Sequence, residues 1–289
     1  MPGPPVLRFA PSPNGPLHLG HALSALTGFE MARRLGGRFL LRSEDIDVAR
    51  SREEHVAGIL EDLAWLGIAW EEPVLQQSQR FAVYAQAAQL LEAQGLLYPC
   101  FATRSEIAEA AAGGALDPEG APLYPGLHKR LSQAKVEARI AAGERYALRL
   151  HADRAIEAAQ RRLGGRPLTF TELDEGGAPQ VIEAHPERWG DAVILRKDVP
   201  ASYHLAVVVD DAVQAITHVV RGRDLYAATD LQRLLQVVLG LPEPVYHHHR
   251  LVTDAQGRKL SKSARDTALA SLRAAGVPPV DIRRQLSLP

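Results

Sequence analysis

Apolar positions along the chain fall into short runs and helical spacings that alternate from the first residues onward. Val6–Ala10 is a brief apolar run, and Pro11, Pro13, Asn14, Gly15 and Pro16 then forbid regular structure. From about His18 to Leu35, Leu19, Ala22, Leu23, Leu26 and Met31 recur at helical spacing, and Gly36-Gly37 ends the segment. Arg38–Arg42 (RFLLR) predicts a buried strand. Arg50–Leu66 predicts a helix with Val56, Ile59, Leu60, Leu63 and Leu66 on one face, and Arg80–Glu92 predicts another. Strands and helices in this alternation predict right-handed βαβ units on a parallel sheet, an α/β fold.

The stretch from Tyr98 to Pro186 differs in character. It holds the loose Ala/Gly segment Ala110–Gly120, a helical piece near Leu131–Ala142, and strand-like runs at Tyr146–Leu150 and Gln180–Ala184. It reads as an insertion between two halves of the sheet. Beyond it, Asp191–Arg196, Tyr203–Asp210 (YHLAVVVD) and Ala215–Val220 predict strands, and Asp224–Leu239 predicts a helix ending at Gly240. Val245–Leu251 predicts a last strand, followed by a Gly-containing basic loop and a short helical tail. The expected organisation is residues 1–97 and 191–240 as the two halves of one domain, 98–190 as an inserted α+β subdomain, and 241–289 as the basic loop and tail.

Composition narrows the class without naming a function. The 289 residues are 46% hydrophobic and 23% charged, as in a soluble globular protein, and no run approaches the roughly 20 apolar residues of a membrane helix. The first residues lack the basic and apolar segments of a secretory signal, and the single cysteine, Cys100, excludes an intramolecular disulfide; both point to the cytoplasm. The net charge of −1 gives no global footprint for nucleic acid. Any RNA contact must come from local patches such as Arg33/Arg34, His128–Arg130, Arg161/Arg162 and Arg258–Lys262.

Two strings carry chemistry. His18-Leu19-Gly20-His21 places two histidines three residues apart at a helix start, where free N–H groups and the macrodipole favour an anion. Gly20 would let a nucleotide approach the backbone closely. Arg258-Lys259-Leu260-Ser261-Lys262-Ser263 puts two lysines on a loop that could neutralise a leaving pyrophosphate. Alone, each string also fits a bland reading, a helix start or a basic surface loop.

Together, in this order and about 240 residues apart, they resemble the two signatures of class I aminoacyl-tRNA synthetases, here as HLGH and KLSKS. RFAPSPNGPLHLGHALSAL, LRSEDID at Leu41–Asp47, SYHLAVVVDD at Ser202–Asp211 and RGRDL around Arg221 resemble the glutamyl and glutaminyl branch. The resemblance runs over most of Val6–Ser263 and is weakest in the insertion. It implies a Rossmann-type parallel sheet with an inserted subdomain, and ATP as a substrate accompanied by Mg2+. It implies that Arg8, Ala10 and Ser12, with Phe9 and Pro11 between them, lie against the amino acid. By the same matching, Glu44 receives its ammonium group, and Tyr203 and Arg221 line its pocket. His18, Gly20 and His21 would contact ATP, and Lys259 and Lys262 would act on its phosphates. An arginine can bind a side-chain carboxylate through two parallel hydrogen bonds, which favours glutamate over glutamine; Arg8 and Arg221 both qualify.

Only 26 residues follow Ser263, too few for an anticodon-binding domain. That architecture resembles the glutamyl-queuosine tRNA(Asp) synthetase family, which implies tRNA-independent activation of L-glutamate and its transfer to queuosine at the wobble position of tRNA(Asp). The alternatives are a minimal glutamyl-tRNA synthetase charging the tRNA 3′ end, and a non-catalytic tRNA-binding paralogue. A monomer with no membrane partner is expected. Relatives often carry zinc on Cys-x-Cys and Tyr-x-x-x-Cys. Here Cys100, Tyr124 and His128 match three of those positions and Ala102 occupies the fourth, so zinc is expected to be absent. His247-His248-His249 alternate faces on a strand, so the three cannot share one ion. Lys262→Ala should slow adenylate formation at least about 100-fold while changing glutamate affinity less than about threefold, measured by pyrophosphate exchange and equilibrium binding. Equal losses in both would contradict the assigned role.

Overall fold

A computed structural model describes residues 3–253 and 268–288. Its strands are β1 (Val6–Phe9), β2 (Arg38–Ser43), β3 (Glu71–Gln76), β4 (Leu97–Cys100), β5 (Ala147–Leu150), β6 (Thr169–Leu173), β7 (Pro179–Glu183), β8 (Val193–Leu195), β9 (His218–Gly222) and β10 (Val245–His249). Its helices are α1 (Leu19–Arg34), α2 (Glu53–Trp65), α3 (Phe81–Ala93), α4 (Arg104–Ala110), α5 (Gln133–Ala141), α6 (Ala152–Arg162), α7 (Tyr203–Val213), α8 (Ala228–Leu239), α9 (Leu269–Ala274) and α10 (Pro279–Gln285). None of the described helices is long and apolar enough to cross a membrane.

The main sheet has the order β3-β2-β1-β9-β10-β6-β7 and is parallel except for the β6–β7 hairpin. Strand order reverses between β1 and β9, so the loops leaving these two strands diverge and open a crevice at their C-terminal ends. A second sheet, β4-β5-β8, is antiparallel. The stretch 98–190 is thus shared between the two sheets: β5 builds the small one, while β6 and β7 extend the large one through the parallel pairing of β6 with β10. Within that stretch, α4 and α5 bury no residue at all.

One expected element has the wrong type. Tyr203–Asp210 was expected to be a strand because Val207, Val208 and Val209 are β-branched and no helical period is visible; the structure forms helix α7 there. Ser202 caps it by accepting a hydrogen bond from the Leu205 N–H. The period is missing because residues 204–211 are all buried, and a helix buried all round shows no amphipathic pattern. Helix α7 packs on α3 and α8. This turns consecutive residues Asp210 and Asp211 in different directions. Asp210 receives Gln77 Nε2 (2.9 Å), Arg80 Nε (2.7 Å) and the Tyr84 hydroxyl (2.7 Å), which tie α3 to α7. Asp211 instead takes Arg8 and Arg42, beneath the crevice.

Candidate active site

The crevice is a cleft of about 480 Å3 lined by Arg8, Phe9, Ala10, Pro11, Ser12, His18, Gly20, His21, Glu44, Tyr203 and Arg221. Every described residue singled out in the sequence for amino-acid or nucleotide contact therefore meets in one place. β1 delivers Arg8 and Phe9, the turn after β2 delivers Glu44, α7 delivers Tyr203, and β9 delivers Arg221. Lys259 and Lys262 lie outside the described residues. The chain re-enters the described structure at Ala268, which pairs with His18 across an isolated bridge, and the Leu269 N–H donates to the Leu17 carbonyl (2.9 Å).

Under the cleft runs a buried chain of alternating charges. Arg8 donates from Nε and Nη2 to the two Asp211 oxygens (3.0 and 3.3 Å). Arg42, fully buried, reaches Asp211 Oδ1 from Nη1 (2.8 Å) and Glu44 Oε1 from Nη2 (3.4 Å). The four charges sum to zero, which is what a low-dielectric site requires. Burial works to raise the Asp211 pKa, but Arg8 and Arg42 outweigh it and hold the carboxyl below its usual range. At Glu44 burial wins over Arg42 and Arg8 and pushes the pKa up. Glu44 is thus the under-compensated carboxylate of the chain, suited to a ligand cation.

Arg221 is held differently. Its Nε donates to His248 Nε2 (3.1 Å), Nη1 to Gln232 Oε1 (2.8 Å) and Tyr203 Oη (3.4 Å), and Nη2 to Thr229 Oγ1 (2.7 Å). All of these acceptors are neutral. Among the described residues no carboxylate pairs with Arg221, although its side chain is buried. Its charge stays available to the cleft.

The two histidines of the HLGH string brace one another. His18 is the N-cap of α1 rather than part of its first turn, and its Nδ1 accepts from the Gly20 N–H (3.0 Å). His21 Nδ1 accepts from the His18 N–H (3.1 Å), and the ring centroids are 3.9 Å apart. With both Nδ1 atoms serving as acceptors, each neutral ring carries its proton on Nε2 and can donate from there. Gly20 has a further role: a Cβ there would sit 2.9 Å from His18 Cε1 and push the cap aside.

The histidine run on β10 divides as alternation requires. His247 Nδ1 meets the Leu173 carbonyl (3.1 Å), His248 lies against Arg221, and His249 Nε2 contacts Ser24 Oγ (2.5 Å) at the cleft wall. Cys100, Tyr124 and His128 do come together, but as a hydrogen-bonded knot. The Cys100 thiol donates to Tyr124 Oη (3.3 Å), and His128 Nδ1 accepts from the N–H groups of Phe101 and Ala102 (3.2 Å each). The Arg139 guanidinium stands 3.2 Å from His128 Nε2. A donor set whose imidazole is committed to backbone N–H groups and faced by a cation does not fit zinc.

Sequence reading assigned no role to Asp211, Arg42, Ser24 or Glu119, and took up His249 only within the strand run His247-His248-His249. Arg42 and Asp211 sit inside the quoted strings, and only the mistaken strand assignment for α7 hid where Asp211 points. Glu119 belongs to the loose Ala/Gly stretch yet reaches the cleft mouth, and no local pattern marks it.

The family model of the catalytic domain of class I tRNA synthetases (E and Q) matches residues 6–288. The chain belongs to that family. It is a ligase with the class I synthetase fold. It is 44% identical to a glutamyl-Q tRNA(Asp) synthetase of Rhodobacter capsulatus, over 98% of this chain and 100% of that one. It is also 42% identical to a glutamate–tRNA ligase 2 of Methylobacterium sp., over 95% of this chain and 58% of the relative. Among solved structures, glutamate-tRNA synthetase from Elizabethkingia anophelis superposes with a TM-score of 0.73 at 26% identity over 90% of this chain. The chain spans about half the length of that structure, 53% of it.

Asp211→Asn would leave Arg8 and Arg42 side by side in the interior without their shared anion. Unfolding free energy from chemical denaturation should fall by about 3 kcal/mol. An unchanged stability would contradict the charge-chain reading.

Proposed function

We propose that the protein activates L-glutamate with ATP, without requiring tRNA, and transfers the glutamyl group to queuosine at the wobble position of tRNA(Asp). The observation that carries the glutamate assignment is the un-neutralised guanidinium of Arg221 in the same cleft as the under-compensated Glu44. Glu44 would take the substrate ammonium, and Arg221 the γ-carboxylate through two charge-assisted hydrogen bonds. Arg8 is the lesser candidate for that carboxylate, because Asp211 already occupies its fork. Glutamine would turn an amide N–H2 toward donors that accept nothing, so the pocket would reject it. Arg8, Phe9, Ala10, Pro11, Ser12 and Tyr203 would close the walls around the amino acid.

In the first step a glutamate α-carboxylate oxygen attacks the α-phosphorus of ATP, forming the mixed anhydride as pyrophosphate leaves; Mg2+ would accompany ATP and offset the charge of its phosphates. The Nε2–H groups of His18 and His21 are suited to stabilise the charge that builds on the α-phosphate, with Gly20 keeping their brace intact. Lys259 and Lys262 would offset the charge of the pyrophosphate. In the second step a hydroxyl of the queuosine cyclopentene ring attacks the glutamyl carbonyl, giving an ester as AMP leaves and the hydroxyl gives up its proton.

The end-to-end match to the Rhodobacter capsulatus glutamyl-Q tRNA(Asp) synthetase supports queuosine as acceptor. The matches to glutamate–tRNA ligases support a second reading, charging of the tRNA 3′ end. Glutamate-dependent pyrophosphate exchange should proceed without tRNA, and glutamate should be esterified to tRNA(Asp) only when queuosine is present. Exchange that appears only on adding tRNA(Glu), with charging of its 3′ end, would establish the second reading instead.

A further inference from the structure

Behind Arg221, Thr229 of helix α8, His248 of strand β10 and, one step further back, Glu172 of strand β6 form a linked set whose hydrogen-bonding roles are forced. A guanidinium only donates, so His248 Nε2, 3.1 Å from Arg221 Nε, must present a lone pair. The proton of the neutral imidazole must then be on Nδ1, which lies 3.1 Å from Glu172 Oε1. Thr229 closes the arrangement: its hydroxyl accepts from Arg221 Nη2 (2.7 Å) and stands 3.2 Å from His248 Nε2, to which it can donate. An imidazolium would turn its Nε2–H toward the Arg221 Nε–H. Burial also pushes the His248 pKa down to about 4, in keeping with a neutral ring.

We infer that Glu172 is a positioning residue for the amino-acid pocket: it locks His248 in the Nδ1–H tautomer, and the free Nε2 then orients Arg221 without neutralising it. The inference rests on the reading of Arg221 as the group that takes the γ-carboxylate. A carboxylate placed directly on Arg221, as Asp211 is on Arg8, would compete with the substrate for the same guanidinium. Setting the anion one imidazole further back keeps the orientation and leaves the charge for the ligand. Glu172 is well placed for this because β6 pairs in parallel with β10, in a register that sets Glu172 opposite Tyr246, two residues before His248. A strand from the central stretch 98–190 therefore tunes a pocket on the sheet it extends.

The test joins histidine tautomer assignment by long-range 15N–1H correlation spectroscopy with calorimetric glutamate binding. His248 in the wild type should show the Nδ1–H tautomer; an Nε2–H tautomer overturns the inference whatever the variants do. Glu172→Ala should raise the Kd for L-glutamate about tenfold and turn the single Nδ1–H signature into a mixture of tautomers. Glu172→Gln, whose amide oxygen can still accept from Nδ1–H, should stay within about threefold of wild type. Glu172→Gln as impaired as Glu172→Ala, or Glu172→Ala without effect on Kd, overturns the relay. Arg221→Lys separates the two claims: if it leaves glutamate affinity unchanged, the reading of Arg221 fails, whereas a loss there with none in Glu172→Ala fails only the relay.

Discussion

The cleft depends on one electrostatic constraint: several arginines are buried under a site that must still attract an anion. An unpaired guanidinium in a low-dielectric interior is costly, and a fully paired one has nothing left for a ligand. The structure meets both demands by dividing the labour. Arg8 and Arg42 share Asp211 and, through Arg42, reach Glu44, so that part of the floor is neutral and rigid. Arg221 is held only by neutral acceptors, with its nearest carboxylate set behind an imidazole. What remains exposed to a ligand is one anion and one cation, the pattern complementary to an amino acid with an acidic side chain.

The fold supplies the positions for that division. The reversal of strand order between β1 and β9 places Arg8 and Arg221 on neighbouring strands facing one crevice. Helix α7 then crosses beneath them and spends its two consecutive aspartates differently, Asp210 on the scaffold around α3 and Asp211 on Arg8 and Arg42 beneath the cleft. The histidine pair at the start of α1 closes the other end, and the return of the chain at Ala268 beside His18 brings the far end of the basic-loop segment back to that same corner.

Much of this was legible in the sequence, and the exceptions have a common cause. Helices α1, α2 and α3 and strands β1 and β2 announce themselves because each buries one face or a short apolar run. The residues of the HLGH string, Glu44, Tyr203 and Arg221 were found because they stand in short, strongly patterned motifs. Helix α7 was misread because complete burial erases the period that marks a helix, and its three valines bias the reading toward a strand. Arg42 and Glu172 escaped because their partners lie far away in the chain; Arg42 is 169 residues from Asp211, and Glu172 is 76 from His248. Local pattern carries no information about such pairings. The open question of which arginine would meet the substrate carboxylate belongs to the same class, since it turns on which one the fold has already neutralised.

The position of the γ-carboxylate in a crystal structure with bound L-glutamate tests this account most directly. The account predicts that carboxylate within about 3 Å of the Arg221 Nη atoms, with Arg8 still forked on Asp211 and the ammonium group on Glu44. A γ-carboxylate held by Arg8 alone, with Asp211 displaced and Arg221 out of reach, would contradict it.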